Sequence, residues 1–158
     1  MIARGKRLRV RAGGVLAGLG ACVAMACATP TAPPPESPEL DRLESLAAIF
    51  YTRVSNRRFN SISTFHDPAL REFFHSSEAF ADYYADLADA LALASFEYNR
   101  PESVVVEEFE PDGVGRVQVR VRFQGENNKP LRFWSTSLVR VDQWELADGR
   151  WWIIPGKL

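Results

Sequence analysis

The two cysteines are the residues of this chain with the most readily named chemistry, because a thiol can be acylated, oxidised or bound to a metal. Cys22 and Cys27 are the only cysteines among the 158 residues. Both follow small residues, since the sequence LGAC ends at Cys22 and the sequence VAMAC ends at Cys27. The chain beyond Cys27 therefore contains no disulfide framework and no thiolate metal site.

The segment that leads to the cysteines has the organisation of a secretion signal. Residues 1–11 carry five Arg and Lys residues and no acid, and residues 12–26 are an uncharged run of fifteen, rich in Gly and Ala. This run is too short for a membrane-spanning helix, which needs about 20 apolar residues. It fits the apolar region of a signal peptide, which has about 7–15. With small residues before each cysteine, the segment resembles the lipobox of bacterial lipoproteins.

The lipoprotein resemblance implies that a diacylglycerol is attached to one cysteine thiol and that the chain is cut just before that residue. A fatty acyl chain such as palmitate then completes the anchor. We favour Cys27, because it follows the fuller apolar run and precedes a proline-rich tract. Cys22 is the alternative, since Leu19 stands at the more typical position in LGAC. An ordinary secretory signal, an uncleaved anchor and a disulfide between the two cysteines are the other interpretations left open.

These features divide the chain into three parts. Residues 1–26 are the predicted signal peptide, residues 27–37 are the lipidated cysteine with its tether, and residues 38–158 are one domain. The prolines of the tether favour an extended polyproline II conformation of about 3.1 Å per residue. Because no Asp follows Cys27, the resemblance implies a lipid anchor in the outer membrane of a bacterial envelope, facing the periplasm. We therefore expect the membrane to be a partner of this protein through that anchor.

The charge of the domain excludes one class of partner. From residue 28 onward the chain has 14 Lys and Arg residues against 20 Asp and Glu residues. Nucleic-acid-binding proteins present a basic face to the phosphate backbone. This mildly acidic domain is therefore not predicted to bind nucleic acid.

Helical periodicity dominates the first half of the domain. Pro38 suits a first helical turn, and apolar residues then recur at three- and four-residue spacing to about residue 57. Asp67 before Pro68 predicts the start of a short helix over 68–74. A third helix is predicted from residue 77 to about residue 99, where Pro101 prevents its continuation.

The second half changes to the two-residue period of strands. Residues 104–109 and 116–124 alternate β-branched and polar side chains, and residues 131–141 predict a long third strand. Two short strands over 144–146 and 150–154 are predicted to form a hairpin. The expected fold class is α+β, with N-terminal helices packed on a curved four- to five-stranded antiparallel sheet.

The order of these elements and the closing sequence WELADGRWWII, residues 144–154, resemble the nuclear-transport-factor-2-like superfamily. The resemblance implies a cystatin-like α+β cone, in which a curved sheet wraps around a long helix. That superfamily includes enzymes similar to ketosteroid isomerase and polyketide cyclases, and also non-catalytic domains of secreted bacterial proteins. For residues 38–158, the resemblance therefore implies either an enzyme of this kind or a non-catalytic domain.

The resemblance implies that a catalytic acid or base and a tyrosine donor would lie in the cone. Tyr51, Tyr84 and His66 are the candidates for residues that line a ligand cavity. The alternative for both tyrosines is a core aromatic side chain, and for His66 a solvated edge residue. His66 stands nine residues before His75, which matches no metal-ligand spacing. We assign no catalytic residue, no cofactor and no metal.

Two groups of residues are candidates for a surface that contacts a protein partner. Arg120 and Arg122 share the polar face of one strand, although glutamates of the preceding strand offer cross-strand partners. Trp151 and Trp152 are adjacent on a strand, so they face opposite sides of the sheet and one of them lies outside the core. An exposed Trp suits a protein contact, while packing at the end of the sheet is the alternative.

The sequence thus predicts a membrane-anchored envelope lipoprotein whose domain binds a protein partner or a small apolar ligand without catalysis. An enzyme similar to ketosteroid isomerase or the polyketide cyclases is the first alternative. A structural accessory of an envelope complex is the second.

Overall fold

A computed structural model describes residues 38–131 and 134–156 of the chain. The predicted signal peptide and tether, with Cys22 and Cys27, lie outside these residues. The described part is α+β: helices come first and a four-stranded antiparallel sheet follows. In chain order the elements are α1 (Pro38–Val54), α2 (Ile62–Phe65), α3 (Pro68–Arg71), α4 (Ser77–Leu93), a 3₁₀ turn (Glu97–Asn99), β1 (Ser103–Pro111), β2 (Arg116–Glu126), β3 (Ser135–Ala147) and β4 (Arg150–Ile154).

The long helices α1 and α4 end where the backbone turns left-handed. The helix predicted to reach residue 57 stops at Val54, because Asn56 adopts a φ of +63°. Helix α4 begins at the Ser76 cap, whose hydroxyl accepts a hydrogen bond from the Ala79 N–H at 3.1 Å. It ends at Leu93 and not near residue 99, because Ser95 has a φ of +64°.

The segment between the long helices is more broken than predicted. Residues 62–65 form the single-turn helix α2 where a plain connection was expected, and the helix predicted over 68–74 is only the four-residue α3. The predicted cap is confirmed, since the Asp67 carboxylate accepts a hydrogen bond from the Ala69 N–H at 2.9 Å. The Phe73 carbonyl accepts a hydrogen bond from the Ile153 N–H at 2.9 Å, so this connection pairs with the edge of the sheet.

The four strands form an antiparallel meander in the order β1-β2-β3-β4. Strands β3 and β4 are joined by Asp148 and Gly149, whose φ values of +53° and +73° match the two-residue turn that suits the twist of a hairpin. The register of β1 against β2 shifts between Val106 and Glu108, which marks Glu107 as a bulge.

The prediction of a fifth strand is not confirmed within residues 38–131 and 134–156. The strands expected over 131–141 and 144–146 are one strand, β3, which runs through the polar pair Asp142 and Gln143 without interruption. Asp142 stays in the ladder because its carboxylate finds partners in the protein interior. The sheet is also not strongly curled.

The helices cover one face of the sheet, and the core lies between them. Along β2 the alternate residues Val117, Val119, Val121 and Phe123 are buried, whereas the arginines between them point to the opposite face. Aromatic rings fill the space against the helices: the Phe50 ring centroid is 5.1 Å from that of Phe73 and 6.0 Å from that of Trp144. In the described ranges, no helix combines the length and apolar character that crossing a bilayer requires.

Candidate functional site

A cluster of polar side chains is buried between the sheet and the two long helices. Its centre is Asp142 on β3, which is 2% exposed. The Tyr51 hydroxyl of α1 and the Tyr83 hydroxyl of α4 donate hydrogen bonds to Asp142 Oδ2 at 2.7 Å and 2.9 Å. On the other carboxylate oxygen, Oδ1, Asp142 accepts a hydrogen bond from Arg140 Nε at 2.6 Å. Both oxygens of this buried acid are therefore satisfied.

Arg140 connects the centre of the cluster to the surface. Its Nη2 lies 3.0 Å from Asp86 Oδ2 of α4, and the Asp86 side chain is 39% exposed. The guanidinium also lies over the Tyr83 ring, 4.9 Å from the centroid. The cluster is thus a chain of acid, base and acid that runs from the core to solvent.

The two-residue period of β3 explains how these side chains come together. Arg140, Asp142 and Trp144 are alternate residues, so all three point to the helix-covered face. Tyr83 and Asp86 stand three residues apart on α4 and share one helix face. The Trp144 indole N–H donates a long hydrogen bond of 3.5 Å to the Tyr51 hydroxyl, which ties α1 to the same strand.

Burial decides the protonation of the tyrosines. Burial, together with the nearby charge of Asp142, raises the pKa of Tyr51 and that of Tyr83 well above the usual tyrosine value. Burial is the largest single influence on Arg140 and would lower its pKa. The charge of Asp142, its hydrogen bond to Arg140 and the nearby Tyr83 and Asp86 together outweigh burial and hold that pKa above its ordinary value. Both tyrosines are therefore neutral donors and Arg140 is a permanent cation.

A cavity of about 420 Å³ opens beside the cluster, at the edge of β3 where β4 ends. Its polar lining residues are Asp86, Gln118, Arg140, Asp142 and Gln143. The apolar residues Ala90, Val141 and Ile154 are also part of this lining, so polar and apolar groups share it. A site for an apolar ligand is lined mainly by apolar side chains.

The structure places one predicted cavity residue in the cluster and two elsewhere. Tyr51 belongs to the cluster. Tyr84 lies in a separate aromatic group, and its hydroxyl donates to the Ser61 carbonyl and accepts from the Ser61 N–H, both at 3.0 Å. His66 is exposed at the end of α2, where its ring meets the Phe65 ring edge-on. Neither Tyr84 nor His66 forms a hydrogen bond with Asp142 among the described residues.

The two adjacent tryptophans lie on opposite faces of β4, as their spacing predicted. Trp151 is buried, and its indole N–H donates to the Glu39 carbonyl at 3.1 Å. Trp152 is half-buried on the other face, stacked on His75 at 4.3 Å with the Arg150 guanidinium 4.3 Å from its ring centroid. Trp152 is therefore covered in part by residues of this chain.

The two candidate arginines on β2 pair across the strands. Arg120 Nε lies 3.3 Å from Glu108 Oε2, and Arg122 Nε lies 2.5 Å from Glu107 Oε1. All four side chains belong to the solvent-facing side of the sheet. Exposed pairs of this kind stabilise a fold by about 0–1 kcal/mol each. The glutamates of the preceding strand, which the sequence suggested as cross-strand partners, are thus the residues that pair with these arginines.

Asp142 is the member of the cluster that sequence reasoning missed. The signal was present: on the face of β3 that carries Leu138 and Trp144, the residues between them are Arg140 and Asp142. An acid and a base at alternate positions of a core-facing strand predict a buried ion pair. Among the residues that the structure describes, no group of three or more His, Cys, Asp or Glu side chains is placed to hold a metal ion.

Comparisons with known proteins give no family assignment. No family model matches the chain, and neither a curated protein nor a solved structure matches it significantly. The case for function therefore depends on the residues and contacts described above.

Proposed function

We propose that this protein is a lipid-anchored lipoprotein of a bacterial envelope, whose domain binds a protein partner without catalysing a reaction. The observation that carries the proposal concerns Asp142, the one buried carboxylate among the described residues. Both of its oxygens already accept hydrogen bonds from side chains of this chain. Among the described residues, the buried carboxylate is thus already held by three donors of this chain, and we assign recognition to the surface.

The anchor is supported by the sequence alone. The basic residues 1–11, the uncharged run 12–26 and the small residues before Cys27 together suit signal recognition, membrane insertion and cleavage. A diacylated thiol with a further acyl chain is a stable anchor, because each buried CH₂ contributes about 0.8 kcal/mol. The proposal places the domain in the periplasm, held on the outer membrane through Cys27 and the tether 28–37.

The likeness to the nuclear-transport-factor-2-like superfamily is part of the proposal. It is supported by the order of elements, with helices before an antiparallel meander. It would place this chain with the non-catalytic members of that superfamily, because the buried carboxylate of Asp142 is held by side chains of the chain itself.

An enzyme of the isomerase or cyclase type is the second candidate, and one observation favours it. Asp142 borders the cavity of about 420 Å³, as a catalytic carboxylate would. A general base needs a free lone pair in reach of the substrate proton. Three donors from Tyr51, Tyr83 and Arg140 already hold this carboxylate, so a substrate proton would have to compete with them for its lone pairs.

Native mass spectrometry of the full-length protein, extracted gently from its membrane, tests these alternatives. We expect a mass equal to the chain from Cys27 with its lipids, together with a second protein. A bound small molecule in place of that protein would favour the ligand-binding or enzymatic candidate. A lipidated chain with neither companion would contradict partner binding and favour a structural accessory.

A further inference from the structure

Strand β3 has an open edge along its first half. Strand β4 pairs only with the second half, from Gln143 opposite Ile154 to Ala147 opposite Arg150. Pairing stops at Ile154, the last residue of β4. Residues 135–141 of β3 therefore pair with β2 on one side and with no described strand on the other. This open edge is about 23 Å long at 3.3 Å per residue.

The direction of the backbone groups shows which of them are free. The Leu146 N–H donates to the Gly115 carbonyl at 2.7 Å, so the even-numbered residues of β3 point towards β2. The odd-numbered residues point to the other side. In the open edge, the odd-numbered residues are Ser135, Ser137, Val139 and Val141. Within ranges 38–131 and 134–156, none of these four residues makes a backbone hydrogen bond on the side away from β2.

The opposite edge of the sheet carries protective features that the open edge lacks. Strand β1 has the Glu107 bulge, acidic side chains at Glu108 and Glu110, and Pro111 as its last residue. Bulges, charges and prolines prevent unwanted strand pairing. The open edge has the sequence STSLVRV. Its one charged residue, Arg140, points inward and is occupied by Asp86 and Asp142. This edge is therefore suited to accept a strand.

A row of aspartates on α4 lies beside the open edge. Asp82, Asp86 and Asp89 share one helix face, at four- and three-residue spacing. The Asp86 contact with Arg140 shows that this face looks towards the edge. Asp82 and Asp89 are exposed, and in the described part of the chain neither forms an ion pair. We call these three residues the acidic row.

Two contacts align the acidic row with the strand. The Thr136 hydroxyl donates to the Ala94 carbonyl at 2.7 Å, and Arg140 Nη2 lies 3.0 Å from Asp86 Oδ2. Eight helical residues rise by about 12 Å and four strand residues by about 13 Å, so α4 runs antiparallel to β3 at matching length. The acidic row therefore flanks the part of the edge around Arg140.

From these features we propose that the open edge, residues 135–141, binds an extended segment of a partner protein with basic side chains at alternate positions. The guest segment adds a strand to the sheet. Its basic side chains face the acidic row, and the residues between them lie beside Val139 and Val141, which are 39% and 47% exposed. This inference rests on the proposed function and specifies the site and the chemistry of the partner.

The charge of the acidic row argues for such a partner over a second copy of this chain. Two copies joined by their β3 edges around a two-fold axis would bring both α4 helices to the same side of a continuous sheet. Asp82, Asp86 and Asp89 of each copy would then flank the same junction, and like charges repel. A basic strand meets the same row favourably.

Peptide binding to the full-length lipidated protein in detergent micelles tests the inference. The probe is a fluorescent seven-residue peptide that alternates Lys and Val. One control peptide alternates Glu and Val, and another has the Lys and Val residues of the probe sorted into two blocks. We expect the alternating basic peptide to bind at least about tenfold more tightly than either control, and more weakly at high salt. Equal binding of the three peptides would overturn the inference.

A proline substitution tests the edge itself. Val139→Pro removes an N–H that points away from β2, so the existing ladder keeps its hydrogen bonds. Val139→Thr is the matched control, because it keeps the N–H and the β-branched shape. We expect Val139→Pro to weaken binding of the probe peptide by about tenfold or more, and Val139→Thr to leave that binding unchanged. Unchanged binding to a folded Val139→Pro variant would place the site elsewhere.

Charge reversal tests the acidic row without changing the backbone. The double variant Asp82→Lys and Asp89→Lys should lose the preference for the basic peptide and gain one for the acidic peptide. The control double variant Asp41→Lys and Glu44→Lys makes the same charge change on exposed positions of α1. If both double variants behave alike, the effect is one of net charge and the inference fails.

The failure of this inference and that of the proposed function give different results. If a partner accompanies the extracted protein and Val139→Pro does not release it, the edge is not the site but partner binding stands. If sedimentation shows a dimer that Val139→Pro dissociates, a second copy occupies the edge and the inference is overturned. If no partner accompanies the native protein, the proposed function itself fails.

Discussion

At the scale of single residues, the carboxylate of Asp142 is an acid held in the core, at 2% exposure. Transferring a charged carboxylate from water to a protein interior costs several kcal/mol. Two tyrosine hydroxyls and one guanidinium offset this cost, because each donates a charge-assisted hydrogen bond to the carboxylate. The balance depends on all partners being present, because removing one leaves another buried polar group unpaired.

Replacing Asp142 should therefore be strongly destabilising. Asp142→Ala leaves the charge of Arg140 and two buried hydroxyls without their shared acceptor, and we expect a loss of about 3–5 kcal/mol in the free energy of unfolding. Chemical denaturation monitored by circular dichroism measures it. Asp89→Ala is the control, since that exposed side chain should change stability by less than about 0.5 kcal/mol. A loss below about 1 kcal/mol for Asp142→Ala would contradict the assigned network.

The two buried tyrosines predict a characteristic alkaline titration. The pKa of Tyr51 and that of Tyr83 are raised in the folded state, whereas an unfolded tyrosine ionises at about pH 10. The unfolded chain therefore loses these protons first, so their contribution to stability is complete below about pH 10 and falls as pH rises above it. Ultraviolet absorbance of the four tyrosines should show two of them ionising only when the protein unfolds.

The double variant Tyr51→Phe and Tyr83→Phe is the control for this titration. It should lack the tyrosinate signal that accompanies unfolding and keep the signal of the remaining tyrosines. Reversible ionisation of all four tyrosines in the folded wild-type protein would show that Tyr51 and Tyr83 are not buried as described.

At the scale of elements, the close packing of β2 depends on a residue without a side chain. Gly125 lies where the chain after α4 crosses the sheet, and Phe96 there forms a bridge with Asn127. A Cβ at Gly125 would lie 2.9 Å from the Arg100 carbonyl oxygen and 2.9 Å from the Phe96 ring. The buried Phe96 ring thus occupies the space that any other residue at position 125 would need.

Substituting this glycine should destabilise the protein although alanine has the higher strand propensity. We expect Gly125→Ala to lower the free energy of unfolding by about 1–3 kcal/mol, because the Arg100 backbone and the Phe96 ring must both move. Gly156→Ala is the matched control, since a Cβ there meets no atom within 4 Å. Thermal unfolding of both variants gives the comparison, and equal midpoints would refute the close contact.

The elements also show how far local patterns reach. The two-residue period of β2 correctly predicted its buried and exposed faces. The same period continues through β3, but the polar residues Asp142 and Gln143 locally predict a break between two strands. Two tyrosines of distant helices join Arg140 of the same strand in making that position compatible with a core, so the number of strands depended on tertiary contacts.

At the scale of the whole molecule, the lipid anchor is predicted to determine location. Cys27→Ser should release the protein from the membrane fraction or leave its signal uncleaved, because serine has no thiol to acylate. Cys22→Ser, the matched control within the same segment, should leave the protein lipidated and membrane-bound. Membrane fractionation and mass measurement of both variants test the assignment. The reverse pattern would move the anchor to Cys22.

The sequence by itself determined the α+β class, the helix cap at Asp67, the opposite faces of Trp151 and Trp152, and the cross-strand pairing of Arg120 and Arg122. Each of these depends on residues close together in the chain or in one ladder, where spacing fixes direction. Tertiary structure alone decided that Tyr51 and Tyr83 meet the Arg140–Asp142 pair, and that β4 leaves residues 135–141 open. These outcomes depend on side chains up to 91 residues apart in the sequence, and no local period records which distant partners will satisfy a buried charge.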